Sequence, residues 1–168
     1  MANTGLSLNL SCGMTGTLTG PTGVYSTPTV NMGAQKQITF SLGTGANQAD
    51  LVCQKSGTVN STGSNVDLSG SLTDDFGATM SFVEIAVLMI ENTSATDTLV
   101  VGGAATNGFA TPFAAANDAI VLKPGGVLLL ASGADPGYVV TASTGDQLKL
   151  AAGTTSADYK LVAIGRSA

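Results

Sequence analysis

Short runs of alternating hydrophobic and polar residues recur along this chain, and turn-forming residues separate them. Near the amino terminus Leu6, Leu8, Leu10 and Cys12 alternate with polar residues, which is the period of a half-buried strand. Similar runs follow at intervals of about ten residues, the spacing of sandwiches and barrels, and residues 83–90 form the strongest predicted core strand. No window has helical periodicity with capping residues. The pattern predicts an all-β fold of about eight to ten strands, best matched by a jelly-roll-like antiparallel β-sandwich.

Residues 1–35 differ from the rest because they contain no charged side chain. Beyond Cys12 they are rich in Thr, Gly and Pro, which predicts an extended or looped path with few regular hydrogen bonds. Two interpretations stay open: a first strand followed by a flexible loop, or an arm ordered against a neighbouring subunit. We therefore divide the chain into an uncharged N-terminal strand and arm, residues 1–35, and a single β-sandwich domain, residues 36–168. Residues 104–117 lack any period and are expected to form a long surface connection.

Charged residues make up only 10% of the chain, against about 25% in ordinary soluble domains. A surface this thinly charged favours coverage by other subunits over a monomer solubilised by Ser, Thr and Asn side chains. The net charge is −5 and the six Lys and Arg residues are scattered, so no basic stripe is available to bind nucleic acid. The apolar runs are too short to span a bilayer, and residues 1–10 contain neither a basic residue nor the unbroken apolar run typical of a secretion signal. We expect synthesis in a cytoplasm, with no nucleic-acid or membrane partner.

The residue types needed for common catalytic sites are missing or badly spaced. There is no histidine, which removes the usual nucleophile triads and imidazole metal ligands. Glu84 and Glu91 bracket one predicted strand and lie about 23 Å apart, too far for a glycosidase pair, while Asp74 and Asp75 are expected to bond backbone amides in a turn. The two cysteines are expected to be buried thiols, and loop aspartates leave calcium open only in principle because EF-hand spacing is absent. We predict no enzyme activity, no cofactor and no metal.

Several strand and turn segments, taken in order, resemble a family of small structural proteins of tailed bacteriophages, the head decoration or cement proteins. The resemblance covers about residues 45–166 and is carried by ADLVCQKSGTVN, DLSGSLTDDFGATMSFVEIAVLMIEN, IVLKPGG, TGDQLKL and YKLVAIG. It implies a β-sandwich that lies on the outer surface of the capsid in the virion and clamps neighbouring major capsid subunits. Residues 1–44 fall outside it, so the arm is interpreted on physical grounds alone.

Together these observations lead us to expect a non-enzymatic phage structural protein that decorates and stabilises a capsid, with the major capsid protein and itself, as a trimer or dimer, for partners. The expected contacts lie in the arm and the 104–117 connection, because neutral apolar surface is buried without stranding charge. The candidate contact residues are Leu6, Leu8, Leu10, Met14, Val24, Tyr25, Val30, Met32, Phe109 and Phe113. The alternative is a glycan- or receptor-binding β-sandwich module of a phage tail or vertex. It is disfavoured because the chain has no Trp and only three Tyr for an aromatic platform.

Overall fold

A computed structural model describes residues 5–23 and 26–168 of the chain. Over these residues the protein forms fourteen β-strands and no helix, which confirms the all-β prediction and exceeds the expected number of strands. The strands are β1 Ser7–Thr19, β2 Thr29–Leu42, β3 Gln48–Ala49, β4 Leu51–Asn60, β5 Ser64–Asp67, β6 Ser69–Thr73, β7 Thr79–Ser81, β8 Glu84–Asn92, β9 Leu99–Gly102, β10 Ala119–Leu122, β11 Val127–Ala131, β12 Tyr138–Val139, β13 Gln147–Ala152 and β14 Ser156–Arg166.

Two antiparallel sheets make up most of the molecule, and we call them together the body. One sheet has the order β10-β9-β13-β5, and the other has the order β11-β8-β14-β4 with β12 also paired to β8. Both sheets contribute buried side chains to a single hydrophobic cluster, the first core. Its largest fully buried members include Leu99, Val101, Leu148 and Leu150 from the four-stranded sheet and Leu88, Ile90 and Leu161 from the five-stranded sheet.

Strand β8 is apolar on both faces, because the five-stranded sheet is covered on both sides at this point. Ile85, Leu88 and Ile90 lie in the first core, whereas Val87 lies in a second cluster on the opposite face. A register shift opposite Ile164 and Gly165 lets β8 place Ile85 and Leu88, three residues apart, on the same side. The core strand predicted for residues 83–90 is therefore confirmed as a central strand with the bounds Glu84–Asn92, and Val83 lies just outside it and is exposed.

The long connection between β9 and β10 contains no strand, as predicted, but it is not purely a surface feature. Phe109 is 2% exposed in the first core, and Phe113 packs against that core while partly buried. An isolated bridge between Gly108 and Gln147 brings the connection against β13. The connection therefore covers one end of the body and contributes an aromatic side chain to its interior.

Candidate interaction surface

The segment predicted to be a strand and a loosely bonded arm, residues 1–35, instead contains all of β1 and the first part of β2, which form a long β-hairpin. β1 and β2 pair antiparallel without interruption from Ser7 opposite Ser41 to Thr19 opposite Thr29. The prediction of few regular hydrogen bonds beyond Cys12 is therefore wrong, and the division placed between residues 35 and 36 falls inside β2. Residues 20–28 connect the two strands, with the N–H of Gly20 donating to the Pro28 carbonyl at 2.8 Å.

The pairing register gives the hairpin one apolar and one polar face, because directly opposed residues of an antiparallel pair share a face. The apolar face consists of six cross-strand pairs: Leu8/Phe40, Leu10/Ile38, Cys12/Lys36, Met14/Ala34, Gly16/Met32 and Leu18/Val30. The polar face is built from Ser, Asn, Thr, Gln and Gly, and some of its side chains bond across the strands. Gln37 Nε2 donates to Asn9 Oδ1 at 2.8 Å, and Thr17 Oγ1 donates to Asn31 Oδ1 at 3.2 Å.

The inner part of the apolar face anchors the hairpin on the outer side of the five-stranded sheet. Phe40 is fully buried there with Val87 and Ile164, in what we call the second core. Leu6, Leu8, Leu10 and Ile38 pack partly buried against the same cluster. Burial of one large apolar side chain contributes about 1.5–3 kcal/mol, so this anchor fixes the hairpin firmly to the body.

The outer part of the same face has no covering in this structure. Met14 is 75% exposed, Leu18 62%, Val30 58% and Met32 55%. Together with Gly16 and Ala34 these residues form what we call the outer apolar face. The residues of the opposite, polar face are also exposed from Ser11 to Thr19 and from Thr29 to Gln37. Since both faces are open, the outer half of the hairpin projects away from the body.

The root of the hairpin is tied to the body by a buried ion pair. Arg166, which is fully buried at the end of β14, pairs through Nη1 with Glu84 Oε1 on β8. Its Nε donates to the carbonyl of Gln48 in β3 at 2.8 Å, and Nη1 also donates to the Ala134 carbonyl at 2.9 Å. The second oxygen of Glu84 accepts from the N–H of Gly137 at 2.5 Å. Because β3 pairs with β2, these contacts connect the hairpin root to two strands and one loop of the body.

The ten predicted contact residues fall into three groups. Met14, Val30 and Met32 lie on the outer apolar face, and Val24 and Tyr25 lie outside the described residues. Leu6, Leu8 and Leu10 pack against the second core, and Phe109 and Phe113 belong to or pack on the first. These five side chains are engaged within the chain itself, and their contact role stays a prediction; Phe109 has almost no exposed surface.

Sequence reasoning missed Leu18, which belongs to the outer apolar face beside Val30. The signal was available, since Leu18 continues the even-numbered apolar positions that begin at Leu6. Gly16 and the threonines dilute this alternation and favour a loop when the sequence is considered alone.

The two cysteines have different environments, and the expectation that both are buried is wrong for one of them. Cys12 is exposed on the hairpin, Cys53 is buried in the first core, and both are free thiols. Desolvation by burial raises the pKa of the Cys53 thiol. Cys12 is therefore the accessible thiol of the two and offers a natural labelling position on the hairpin.

The carboxylates whose contacts the structure shows stabilise turns and strand ends through hydrogen bonds and an ion pair. Asp74 Oδ1 accepts from the N–H of Phe76 at 2.9 Å and of Ala78 at 2.8 Å, which confirms its predicted turn role. Glu84 pairs with Arg166, and Glu91 lies at the other end of the same strand. Within residues 5–23 and 26–168, no group of three or more His, Cys, Asp or Glu is arranged to hold a metal ion. The same residues include no helix long and apolar enough to cross a membrane.

Comparisons with protein-family models, with curated proteins and with solved structures found no significant match. The geometry by itself defines a class of protein: an all-β chain of several antiparallel sheets that projects an amphipathic hairpin. Among the described residues the outer half of that hairpin carries no charge except Lys36 at its inner end.

Proposed function

We propose that this protein is a non-enzymatic structural protein of a tailed-phage virion, a jelly-roll-like β-sandwich that decorates the outer surface of the capsid. In this role it stabilises the shell by clamping neighbouring major capsid subunits. The observation that carries the proposal is the projecting hairpin, which reaches beyond the body and exposes an uncharged apolar face. The resemblance of residues 45–166 to phage decoration proteins supplies the setting.

Surface chemistry supports a binding role for the hairpin. An interface is stable when apolar groups are buried without leaving charges unpaired, and residues 5–23 and 26–35 carry no charge at all. Amide and hydroxyl side chains on the polar face are able to bond to a partner's backbone or to water. The hairpin thus combines an apolar patch with a polar rim, as protein interfaces do.

The expected strength of one contact is modest. Each of the four outer side chains is more than half exposed, so burying it adds about 1–2 kcal/mol. The sum, about 4–8 kcal/mol, is comparable with the cost of association, which is about 4–15 kcal/mol. A single hairpin contact is therefore weak, and repetition over a symmetric shell provides the avidity that makes decoration stable.

A shortened hairpin tests this proposal. Replacing residues 11–37 with Asn-Gly joins Leu10 to Ile38, a hydrogen-bonded pair in this register, through a two-residue turn. The variant keeps the buried anchor of Leu8, Leu10, Ile38 and Phe40. We expect the variant to remain folded, with a circular dichroism spectrum and melting temperature close to those of the intact chain. Added to purified phage heads stripped of decoration, the intact protein should bind in numbers comparable with the capsid subunits, and the shortened variant should not.

Two results would contradict the proposal. Equal occupancy of heads by the intact and shortened chains would remove the hairpin from the contact. A few copies per particle, counted by quantitative mass spectrometry of virions, would indicate a tail or vertex component instead. The glycan-binding alternative gains no support from the described tyrosines, because Tyr159 is buried and Tyr138 is partly buried against the first core.

A further inference from the structure

We propose that the outer apolar face binds a second copy of this chain, with the two hairpins stacked face to face and antiparallel about a twofold axis. This goes beyond decoration of a capsid, because it concerns how copies of the chain bind one another away from a shell. The dimer buries the same outer apolar face that the proposed capsid contact uses, so a given hairpin makes one of the two contacts at a time. The pairing joins two bodies through their hairpins into a symmetric bridge.

Charge and length favour a second hairpin as the occupant. The outer half of the hairpin extends about 26 Å, at about 3.3 Å per residue, and its face carries no acid. Other exposed apolar side chains of the described residues include Phe76, the neighbours Ile120 and Val121 on β10, Val83 just before β8, and Val139 on β12. The open part of the five-stranded sheet's outer face places Glu91 opposite Lys160, so covering it would bury charges. The same face of another copy matches this face in length, in its absence of acidic residues and in its four exposed apolar side chains.

The side-chain sizes on the face are complementary under a twofold axis. We call each cross-strand pair a row and name it by its two residue numbers. Row 14/34 has the large Met14 on β1 and the small Ala34 on β2, whereas row 16/32 has the small Gly16 on β1 and the large Met32 on β2. When two hairpins stack with β1 over β1 and opposite directions, row 14/34 of one lies over row 16/32 of the other. Met14 then faces Gly16 of the second copy, and Met32 faces Ala34 of the second copy. Each large side chain meets a small one, as in well-packed sheet interfaces.

The antiparallel direction follows from where the body and Lys36 lie. The body packs on the inner part of the same apolar face, against Leu8, Leu10 and Phe40. A second hairpin running parallel would place its own body in the space that the first body occupies. It would also bring the two Lys36 ammonium groups together, which is unfavourable. In the antiparallel arrangement row 12/36 of one copy lies over row 18/30 of the other, so each Lys36 lies near the tip of the other hairpin, and the two bodies lie at opposite ends of the pair.

The extent of the contact predicts a dissociable dimer. Two strands about 4.8 Å apart over about 26 Å give a flat footprint of about 250 Å² per copy. Protruding side chains and the hairpin tips enlarge the area that is buried. Stable complexes bury about 800 Å² on each partner. The contact also continues a surface that the chain already buries, since the second core uses the same face. We therefore expect a weak, reversible equilibrium between monomer and dimer.

Sedimentation velocity of the purified full chain, without capsids, tests the inference. We expect the apparent mass to rise with concentration from 16.6 kDa towards twice that value. Met14→Asp combined with Met32→Asp should weaken dimerisation at least tenfold, because it places acids in the stacked face. Thr15→Asp is the matched control: it adds an acid to the polar face of the same strand, where Thr15 is exposed opposite Gly33, and should leave the equilibrium unchanged.

Gly16→Leu separates specific packing from general stickiness. A Cβ at Gly16 would lie 3.6 Å from Met32 Cε, which is an ordinary contact, so the monomer accepts a side chain there. The proposed stacking predicts weaker dimerisation, because the added leucine side chain would displace Met14 of the second copy. Stronger association by Gly16→Leu would overturn the stacking, since it is the result expected for unspecific hydrophobic contact.

Spin labels on the polar face test the direction. A Ser11→Cys chain with Cys12→Ser should show pulsed-EPR distances consistent with the two labelled positions lying about 28 Å apart, from about 26 Å along the strands and about 10 Å between layers. Parallel stacking would give about 10 Å and overturn the arrangement. A chain that is monomeric at all concentrations yet decorates heads would refute self-association and leave the proposed function standing. A chain that dimerises as described but does not bind heads would support self-association and contradict the proposed function.

Discussion

The buried ion pair between Glu84 and Arg166 offers the sharpest test of what holds the hairpin root on the body. Substituting Glu84→Gln keeps the shape and size of the side chain and removes its charge. The guanidinium of Arg166 is fully buried, and Glu84 is 4% exposed, so little water is available to compensate the loss. The Nη2 atom of Arg166 has no hydrogen-bond partner among the residues that the structure describes, which makes the existing contacts more important.

The expected magnitude follows from deletion of one partner of a buried pair, which costs about 3–5 kcal/mol because the remaining charge is left uncompensated in a medium of low dielectric constant. For a chain of this size, each kcal/mol lowers the melting temperature by about 2–4 °C. We therefore expect Glu84→Gln to lower the melting temperature by about 6–20 °C. Chemical denaturation should give the same loss as a change of midpoint with an unchanged slope.

Glu91→Gln is the matched control because it makes the same chemical change on the same strand. Glu91 is partly exposed opposite Lys160, and surface pairs contribute at most about 1 kcal/mol. Its melting temperature should change by no more than about 4 °C. If the two variants lose equal stability, or if Glu84→Gln loses less than about 1 kcal/mol, burial of the Arg166 charge does not depend on Glu84 and the reasoning is refuted.

Three further predictions follow from single features of the structure. Phe40→Ala should destabilise the chain by about 3–5 kcal/mol in a denaturant titration, because Phe40 is fully buried in the second core, whereas Met32→Ala on the exposed half should change stability by less than about 0.5 kcal/mol. Hydrogen bonds led by the N–H of Thr155 hold the pKa of Asp97 below its usual value, so its stabilising contribution is complete above about pH 3.9, the ordinary pKa of an unfolded Asp, and is lost as the pH falls through the lowered folded value. Asp97→Asn should flatten that acid limb of a stability-against-pH curve, and an unaltered limb would count against it. Native protein should react with one equivalent of a thiol reagent at Cys12 and with a second only after unfolding exposes Cys53; two fast thiols in native protein would contradict the burial.

Alternation of hydrophobic and polar residues predicted the all-β fold because successive side chains of a strand point to opposite faces of its sheet, a pattern that neighbouring residues reveal without knowledge of the partner strand. It was less informative about the hairpin, since pairing of β1 with β2 is a contact between residues up to 34 positions apart, as Ser7 and Ser41 are. Threonine and glycine in β1 suggested a loop, yet threonine is a good strand former once a partner strand is present. Local propensity could not identify that partner.

Burial of individual side chains was harder still to predict. Phe109 lies in an irregular stretch rich in Ala and Gly, where no periodicity indicates which side chains point inward. Its place in the first core depends on the bridge between Gly108 and Gln147 of β13. Arg166 is of a residue type that is almost never fully buried unless paired, but three segments converge on it here. Such positions are set by tertiary contacts, which a period of two along the chain does not record.

The hairpin itself explains why a shortage of charge indicated assembly. A hairpin of two strands is at best marginally stable in water without further packing. The inner half obtains that packing from the second core, where Phe40 and Leu8 are covered by the five-stranded sheet. The outer half continues the same apolar rows through Met14, Met32 and Leu18 with nothing over them. An outer half needed only for reach would be more stable in solution with charged residues on both faces. Apolar rows maintained beyond the body therefore favour a surface that is covered when the protein is in use, whether by a second copy or by the shell.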